Sequence, residues 1–170
     1  MKAAHLPTAC VCVLSALCVL GWSVRARAQE YLMGADMGIS SGIEGGGQPP
    51  QTRLTRTRLR LGADLRVDED PEDILEFGAL AELAPAGFGA DIRYAHTAGD
   101  HFVFDAGVLA ILAPHSLYGV GAGITYRLPL SKGMQFTVGP EADFFFLGTD
   151  LPDGVVIWQL RVQGGLRVDL

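Results

Sequence analysis

Between Arg58 and Val67 the chain changes character at every residue. Leu59, Leu61, Ala63, Leu65 and Val67 fall on one parity, and Arg58, Arg60, Gly62, Asp64 and Arg66 on the other. Side chains alternate across a strand, so this order makes one oily face and one charged face. A helix would scatter both sets around its circumference. The period returns in residues 134–147, where Met134, Phe136, Val138, Ala142, Phe144 and Phe146 oppose Gln135, Thr137, Glu141 and Asp143. It returns again in residues 155–170, where Trp158, Leu160, Val162, Leu166, Val168 and Leu170 oppose Gln159, Arg161, Gln163, Arg167 and Asp169. In all, eight strands are expected, at about 30–39, 54–67, 74–84, 87–96, 101–112, 117–128, 134–147 and 155–170. Two are irregular: Val103, Leu109 and Ile111 share the parity of Asp105, and Leu80 lies on the polar side of its segment.

Turn residues separate the segments, among them Gly45–Pro50, Asp68–Pro71, Pro85–Gly87, Ala98–Asp100, Pro114–Ser116, Ser131–Gly133 and Asp150–Gly154. Short connections force each strand to return antiparallel beside the last. The expected fold is therefore all-β, an eight-stranded up-and-down meander able to close into a barrel. Pro140 falls inside the seventh segment, where its missing N–H suggests a bulge. Only the connection from Ser40 to Arg53 is long, and its Gly, Pro and Gln content suggests a mobile loop.

Residues 1–28 read as a cleaved secretory signal: Lys2, an apolar run from Ala9 to Leu20, and Ala26-Arg27-Ala28 as the cleavage site. The run is too short to span a membrane as a helix, which takes about 20 apolar residues. All three cysteines (Cys10, Cys12, Cys18) lie within it, so residues 29–170 have no thiol chemistry. That part keeps ten of the 13 basic residues against 19 acidic ones, a formal charge of −9, which disfavours a nucleic-acid partner. Its length suits one domain.

Glycine indicates which face points outward. Gly34, Gly38, Gly62, Gly78, Gly89, Gly107, Gly119, Gly121, Gly123, Gly139 and Gly165 share the polar parity, and Gly164 the apolar one. On a solvated face they would weaken strands without benefit, whereas inside a narrow barrel they leave room for long charged side chains. Aromatic residues on the apolar parity sort to the strand ends. Tyr31, Phe77, Tyr94, Phe102, Tyr126 and Phe136 lie at one end, and Phe88, Tyr118, Phe144, Phe146 and Trp158 at the other. Two aromatic girdles around an aliphatic belt are the signature of a transmembrane barrel.

The last residues, Gln163-Gly164-Gly165-Leu166-Arg167-Val168-Asp169-Leu170, are similar to the C-terminal assembly signal of outer-membrane barrels, with Gln163, Gly165, Val168 and Leu170 at its defining places. With the strand pattern, the chain from residue 29 onward resembles the small eight-stranded outer-membrane barrels of the OmpA and OmpX type. It departs from them in ending on Leu170, where an aromatic residue is usual. The resemblance implies export, an outer-membrane location with both termini periplasmic, outer-membrane lipid and the barrel-assembly machinery as partners, and a monomer without cofactor.

The inward set then comprises Arg58, Arg60, Arg66, Arg93, Arg127, Arg161 and Arg167 with Asp36, Asp64, Glu76, Glu82, Asp91, Asp105, Glu141, Asp143 and Asp169. An eight-stranded lumen is just wide enough for side chains to fill, so these charges should pair into a plug. The three inward glycines of the sixth segment, Gly119, Gly121 and Gly123, are expected to leave space for Arg58, Arg60 and Arg66 from across the lumen, reaching Glu76, Glu141 and Asp143. The functional expectation is a non-enzymatic barrel with a structural or interaction role. One alternative is a lipid-modifying barrel enzyme, for which His96, His101 and His115, all near strand ends or turns, are the histidines on offer; His115 and Ser116 are adjacent, with no obvious orienting acid for them. Another is a soluble lipocalin-like barrel binding an apolar ligand. No metal site is expected; Asp68–Asp70 with Glu72 and Asp73 read as a solvated acidic turn.

Overall fold

The computed structural model describes residues 32–47, 51–66, 72–83, 86–149, 151–152 and 154–170. The expected signal segment, Tyr31, the acidic turn Asp68–Asp70 and the side chain of Arg66 lie outside the described residues. The elements are β1 (Leu32–Gly46), β2 (Gln51–Leu54), β3 (Thr57–Arg66), β4 (Asp73–Leu83), β5 (Gly87–Ala98), β6 (Phe102–Ala113), β7 (Leu117–Ser131), β8 (Met134–Gly148) and β9 (Ile157–Asp169). All neighbours are antiparallel in chain order, and β9 pairs back onto β1, which closes the wall. The short β2 continues β3 along the same edge of β1 after a break at Thr55 and Arg56. The wall is therefore an eight-stranded up-and-down barrel, as the alternation implied. No helix occurs among the described residues.

The register fixes the tilt. Rows of paired residues lead from Gly34 through Asp64, Glu76, Arg93, Gly107, Gly121, Asp143 and Gln159 back to β1 at Glu44, ten residues further along. With a rise of about 3.3 Å per residue and strands about 4.8 Å apart, this stagger tilts the strands by roughly 40°. Closure on these terms leaves no free edge along the wall, which an isolated sheet would have to protect.

Burial is inverted relative to a water-soluble barrel. Arg58, Asp64, Asp91, Arg93, Glu141, Asp143, Arg161 and Arg167 are buried. Met37, Ile39, Leu61, Ile92, Val108, Val120, Ile124, Leu160 and Val162 are exposed on the outer face. Phe88, Tyr118, Phe144 and Phe146 stand out from one end of the wall, and Phe77, Tyr94, Phe102 and Phe136 from the other. At the lower end the Tyr126 ring packs against Phe102 and His101, with ring centroids 5.1 and 5.4 Å away.

Three sequence expectations need correction. The segment from Ser40 to Arg53 is mostly strand: β1 runs to Gly46, paired with β9 as far as Ile157 and with β2 from Ile43 onward. The alternation continues through Ile43 outside and Glu44 inside, but Gly45 and Gly46 have no side chains to reveal it. Pro140 causes no bulge. The ladder to β7 lapses opposite Ile124 and Thr125 and resumes at Tyr126–Val138 in the same register. The ladder loses two pairings, Ile124–Pro140 and Thr125–Gly139, with no shift, and β9 stays paired through Pro140–Val162.

The irregular parities form the third correction, because part of the interior is apolar. Leu80, Leu109, Ile111 and Phe145 pack together inside the upper end, with Leu117 and Ile157 against them. Ile74, Ala95 and Val103 make a smaller cluster at the lower end, beside Met33. The residues that blurred the third and fifth segments are thus lumen packing. Phe145, 0% exposed, is a core residue between the two outward-facing phenylalanines Phe144 and Phe146.

Candidate functional site: the charged lumen

The polar parity of eight strands converges on the barrel axis, where the side chains form three connected groups. In the upper group Arg58 donates to Asp143 Oδ2 at 2.7 Å, Gln159 Oε1 at 3.1 Å and Glu82 Oε1 at 3.2 Å. Arg161 lies alongside, donating to Gln159 Oε1 at 3.0 and 2.8 Å and to the Arg56 carbonyl at 2.9 Å. Its distances to Glu82 and Asp143 are longer, 3.6 and 3.7 Å. Gln159 Nε2 donates to Glu44 Oε2 at 2.8 Å, and Glu44 also pairs with Arg53 on β2. The upper mouth is therefore tied to the hairpin that the sequence had suggested to be a loose loop.

The middle group has more carboxylates than cations. Arg60 reaches Asp36 at 2.8 Å, Asp91 at 3.0 Å and Glu76 at 3.3 Å. Arg93 reaches Asp105 at 2.9 Å and Asp91 at 3.0 Å, and also pairs with Glu141. Asp91 thus joins the two arginines. In the lower group Arg167 pairs with Asp64 and lies 2.9 Å from Asp169, which accepts from Gln135 at 2.9 Å. Removing a charge from water costs several kcal/mol, so multiple partners per guanidinium are what make such a lumen tolerable.

Glycine makes the space. Rows climb as they circle the wall, by about one and a quarter residues per strand at this stagger. Gly38, Gly62, Gly78, Gly107, Gly123, Gly139 and Gly165 therefore come close to one level, the waist of the barrel. The strand without a glycine there is β5, which supplies Arg93. A ring of seven glycines accordingly encloses one buried guanidinium and its carboxylates.

The expected fit of β3 arginines into the β7 glycines is only partly met. A methyl on Gly121 would lie 2.6 Å from Asp143 Oδ1, and one on Gly123 would lie 2.7 Å from Asp105 Oδ2. The space over β7 is filled by carboxylates from its neighbouring strands, and Arg58 meets Asp143 there. Arg60 lies instead over Gly78, its Nε 2.6 Å from where a methyl would be. Carboxylate side chains are short, so they cover the adjacent strand, while the longer arginines bridge farther. Of the named acceptors, Asp143 pairs with Arg58, Glu76 with Arg60, and Glu141 with Arg93.

The four places of the C-terminal pattern divide between the faces. Gln163 turns inward and donates to Thr125 Oγ1 at 2.8 Å. Gly165 lies inside, pressed against the β1 backbone at Met37 and Gly38. Val168 and Leu170 face outward and are exposed. The N–H of Leu170 donates to the Met33 carbonyl at 3.1 Å.

Sequence reading underrated Glu44, Gln159 and Phe145. The first two lie at strand ends, and Phe145 lies in a run of three aromatics, where parity is hard to read. It also overlooked the acid beside His96: Asp73 Oδ1 lies 2.7 Å from His96 Nδ1 on the outer face of the lower rim. His101 is the ring packed on Tyr126. Among the described residues no group of three His, Cys, Asp or Glu is arranged to hold a metal.

No family model matches the chain. No curated protein matches it either. Among solved structures, it is similar to the crystal structure of Neisserial surface protein A (NspA), with a TM-score of 0.47 and 12% sequence identity over 81% of this chain and 97% of that one.

Proposed function

We propose that this chain is a non-enzymatic outer-membrane barrel with a structural or interaction role, its lumen plugged by paired charges. One observation carries the reading: the wall is inside out, with arginine and aspartate buried and leucine, isoleucine and phenylalanine exposed. In water such a surface would aggregate, whereas in a bilayer it is the favoured one. The same feature argues against a soluble lipocalin-like barrel. In this reading residues 1–28 are removed on export, the C-terminal pattern is read by the assembly machinery, and the monomer is surrounded by outer-membrane lipid.

The lower end, which carries the Gly34 and Asp169 ends of β1 and β9, is periplasmic on this proposal. The β1–β2 turn then faces outward. Refolded protein should migrate faster on a gel when unheated, and envelope fractionation should place it in the outer membrane. Protease applied to whole cells should cut, if anywhere, at residues 47–51. Cleavage confined to residues 68–73 would invert the topology, and recovery in the soluble fraction would defeat the proposal.

A further inference from the structure

The lumen is open below its waist and closed above it. A cavity of about 50 Å³ at the lower end is bordered by Asp36, Glu76, Asp105, Arg127, Thr137 and Arg167. A second, of about 30 Å³, shares Asp36, Arg60, Arg93, Thr137 and Gln163 with it and reaches up to Ser40, Arg58 and Leu80. At about 10–15 Å³ per water, the two spaces together have room for a few waters. The side chains of Asp36 and Arg60 accordingly keep 19% and 14% exposure, whereas those of Asp143 and Arg161 above them have 0%.

At the upper mouth a cavity of about 220 Å³ lies between the β1–β2 hairpin and Ile157. The cluster of Leu80, Leu109, Ile111 and Phe145 separates it from the waist. Leu80 borders the space below, and Ile157, packed against the cluster, borders the space above. Beside the cluster the lumen is filled by Arg58, Gln159 and Arg161, which are fixed to one another and to Asp143 by hydrogen bonds. The charged half of this closure is held by directional bonds, and the apolar half by packing alone. An apolar constriction gives water no hydrogen-bond partner and an ion no replacement for its hydration shell, so it blocks ions until its side chains part.

Below the closure the charge is negative. Asp36, Glu76, Asp91, Asp105 and Glu141 share the guanidiniums of Arg60 and Arg93. At the lower mouth Arg167 is matched by Asp64 and Asp169, and these acids with Glu76 are also the counter-charges of Arg127. The mouth therefore does not reverse the sign. A narrow space with low-dielectric walls focuses such a field and concentrates small cations within it.

We propose that the lumen is a cation-selective path closed by an apolar gate of Leu80, Leu109, Ile111 and Phe145 beneath the upper mouth. The two lower cavities are its vestibule, and displacement of the Phe145 ring joins them to the mouth. The proposal rests on the outer-membrane reading, since an ion path has meaning only across a bilayer.

Planar lipid bilayers under a potassium chloride gradient test it, with purified chains whose unheated gel band shows them folded. The native chain should be silent. Phe145→Ala should conduct steadily, with potassium preferred over chloride by about tenfold. Asp105→Asn added to Phe145→Ala should lower that preference. A folded, inserted Phe145→Ala chain as silent as the native one would overturn the gate. Steady current through the native chain would show that nothing is closed, and a preference for chloride would remove the vestibule; either sinks the proposal. Ile111→Ala, a smaller truncation of the same cluster, takes the place of Phe145→Ala if that variant does not fold, with the same outcomes. Failure of the folded native chain to enter bilayers at all would instead strike the outer-membrane reading, and the proposal with it.

Discussion

Arg58 on β3 and Asp143 on β8 meet at 2.7 Å inside the barrel, and the aspartate they share this contact through lies over Gly121 of β7. Three strands are thus linked by one ion pair and one missing side chain. Both partners are almost wholly buried, Arg58 2% exposed and Asp143 0%. Arg58→Met should therefore destabilise the folded barrel by about 3–5 kcal/mol, since it strands a buried carboxylate. The pair Arg58→Met with Asp143→Leu should cost clearly less than the sum of the single changes. Urea unfolding in lipid vesicles measures both, and strict additivity would show that the two residues are not coupled.

The glycines should differ in tolerance according to what faces them. At Gly121 an added methyl meets the Asp143 carboxylate, whereas at Gly38 the nearest atom is 3.6 Å away, an ordinary contact. Gly121→Leu should overpack the lumen and cost on the order of 1–3 kcal/mol, with Gly121→Ala already disturbing the Arg58 contact. Gly38→Ala should be neutral, or stabilising by up to about 1 kcal/mol through the unfolded chain. Equal mildness at Gly121 and Gly38, read from the same unfolding curves, would mean that glycine serves only strand curvature.

Neighbouring phenylalanines give a sharp contrast. Phe145 is enclosed by Leu80, Leu109 and Ile111, while Phe144 is 45% exposed on the outer face. Phe145→Ala should cost about 3–5 kcal/mol by leaving a cavity in a closed apolar cluster. Phe144→Ala should cost less in vesicles, where lipid takes the place of the lost ring. The reverse ranking would mean that the strand is registered with the opposite face inward.

Leu170, 73% exposed, closes the C-terminal pattern on its apolar side. Leu170→Asp should lower the yield of folded barrel in cells, and Leu170→Phe should leave it unchanged or raise it. Band intensities of the heat-modifiable form provide the measurement. A normal yield for Leu170→Asp would make the likeness of these residues to an assembly signal coincidental.

Strand number and direction were legible because a strand has a strict period of two, and one slipped residue would turn Arg58, Arg60 and Asp64 outward together; the facing was legible from the glycines that share their parity. Positions carrying no side chain, or the wrong kind, were not legible. Gly45 and Gly46 hid the upper length of β1, and Leu80, Leu109, Ile111 and Phe145 look like errors of alternation until they are seen touching one another.

The sequence by itself determined that each strand has one charged and one oily face, since that follows from side-chain order, and the glycines on the polar parity together with aromatics at the strand ends assigned the charged face to the interior. Only the tertiary structure decided which arginine meets which carboxylate. The ten-residue stagger of the closed wall sets the height of every inward side chain. It brings Arg93 to the level of seven glycines and places Asp143 within reach of Arg58.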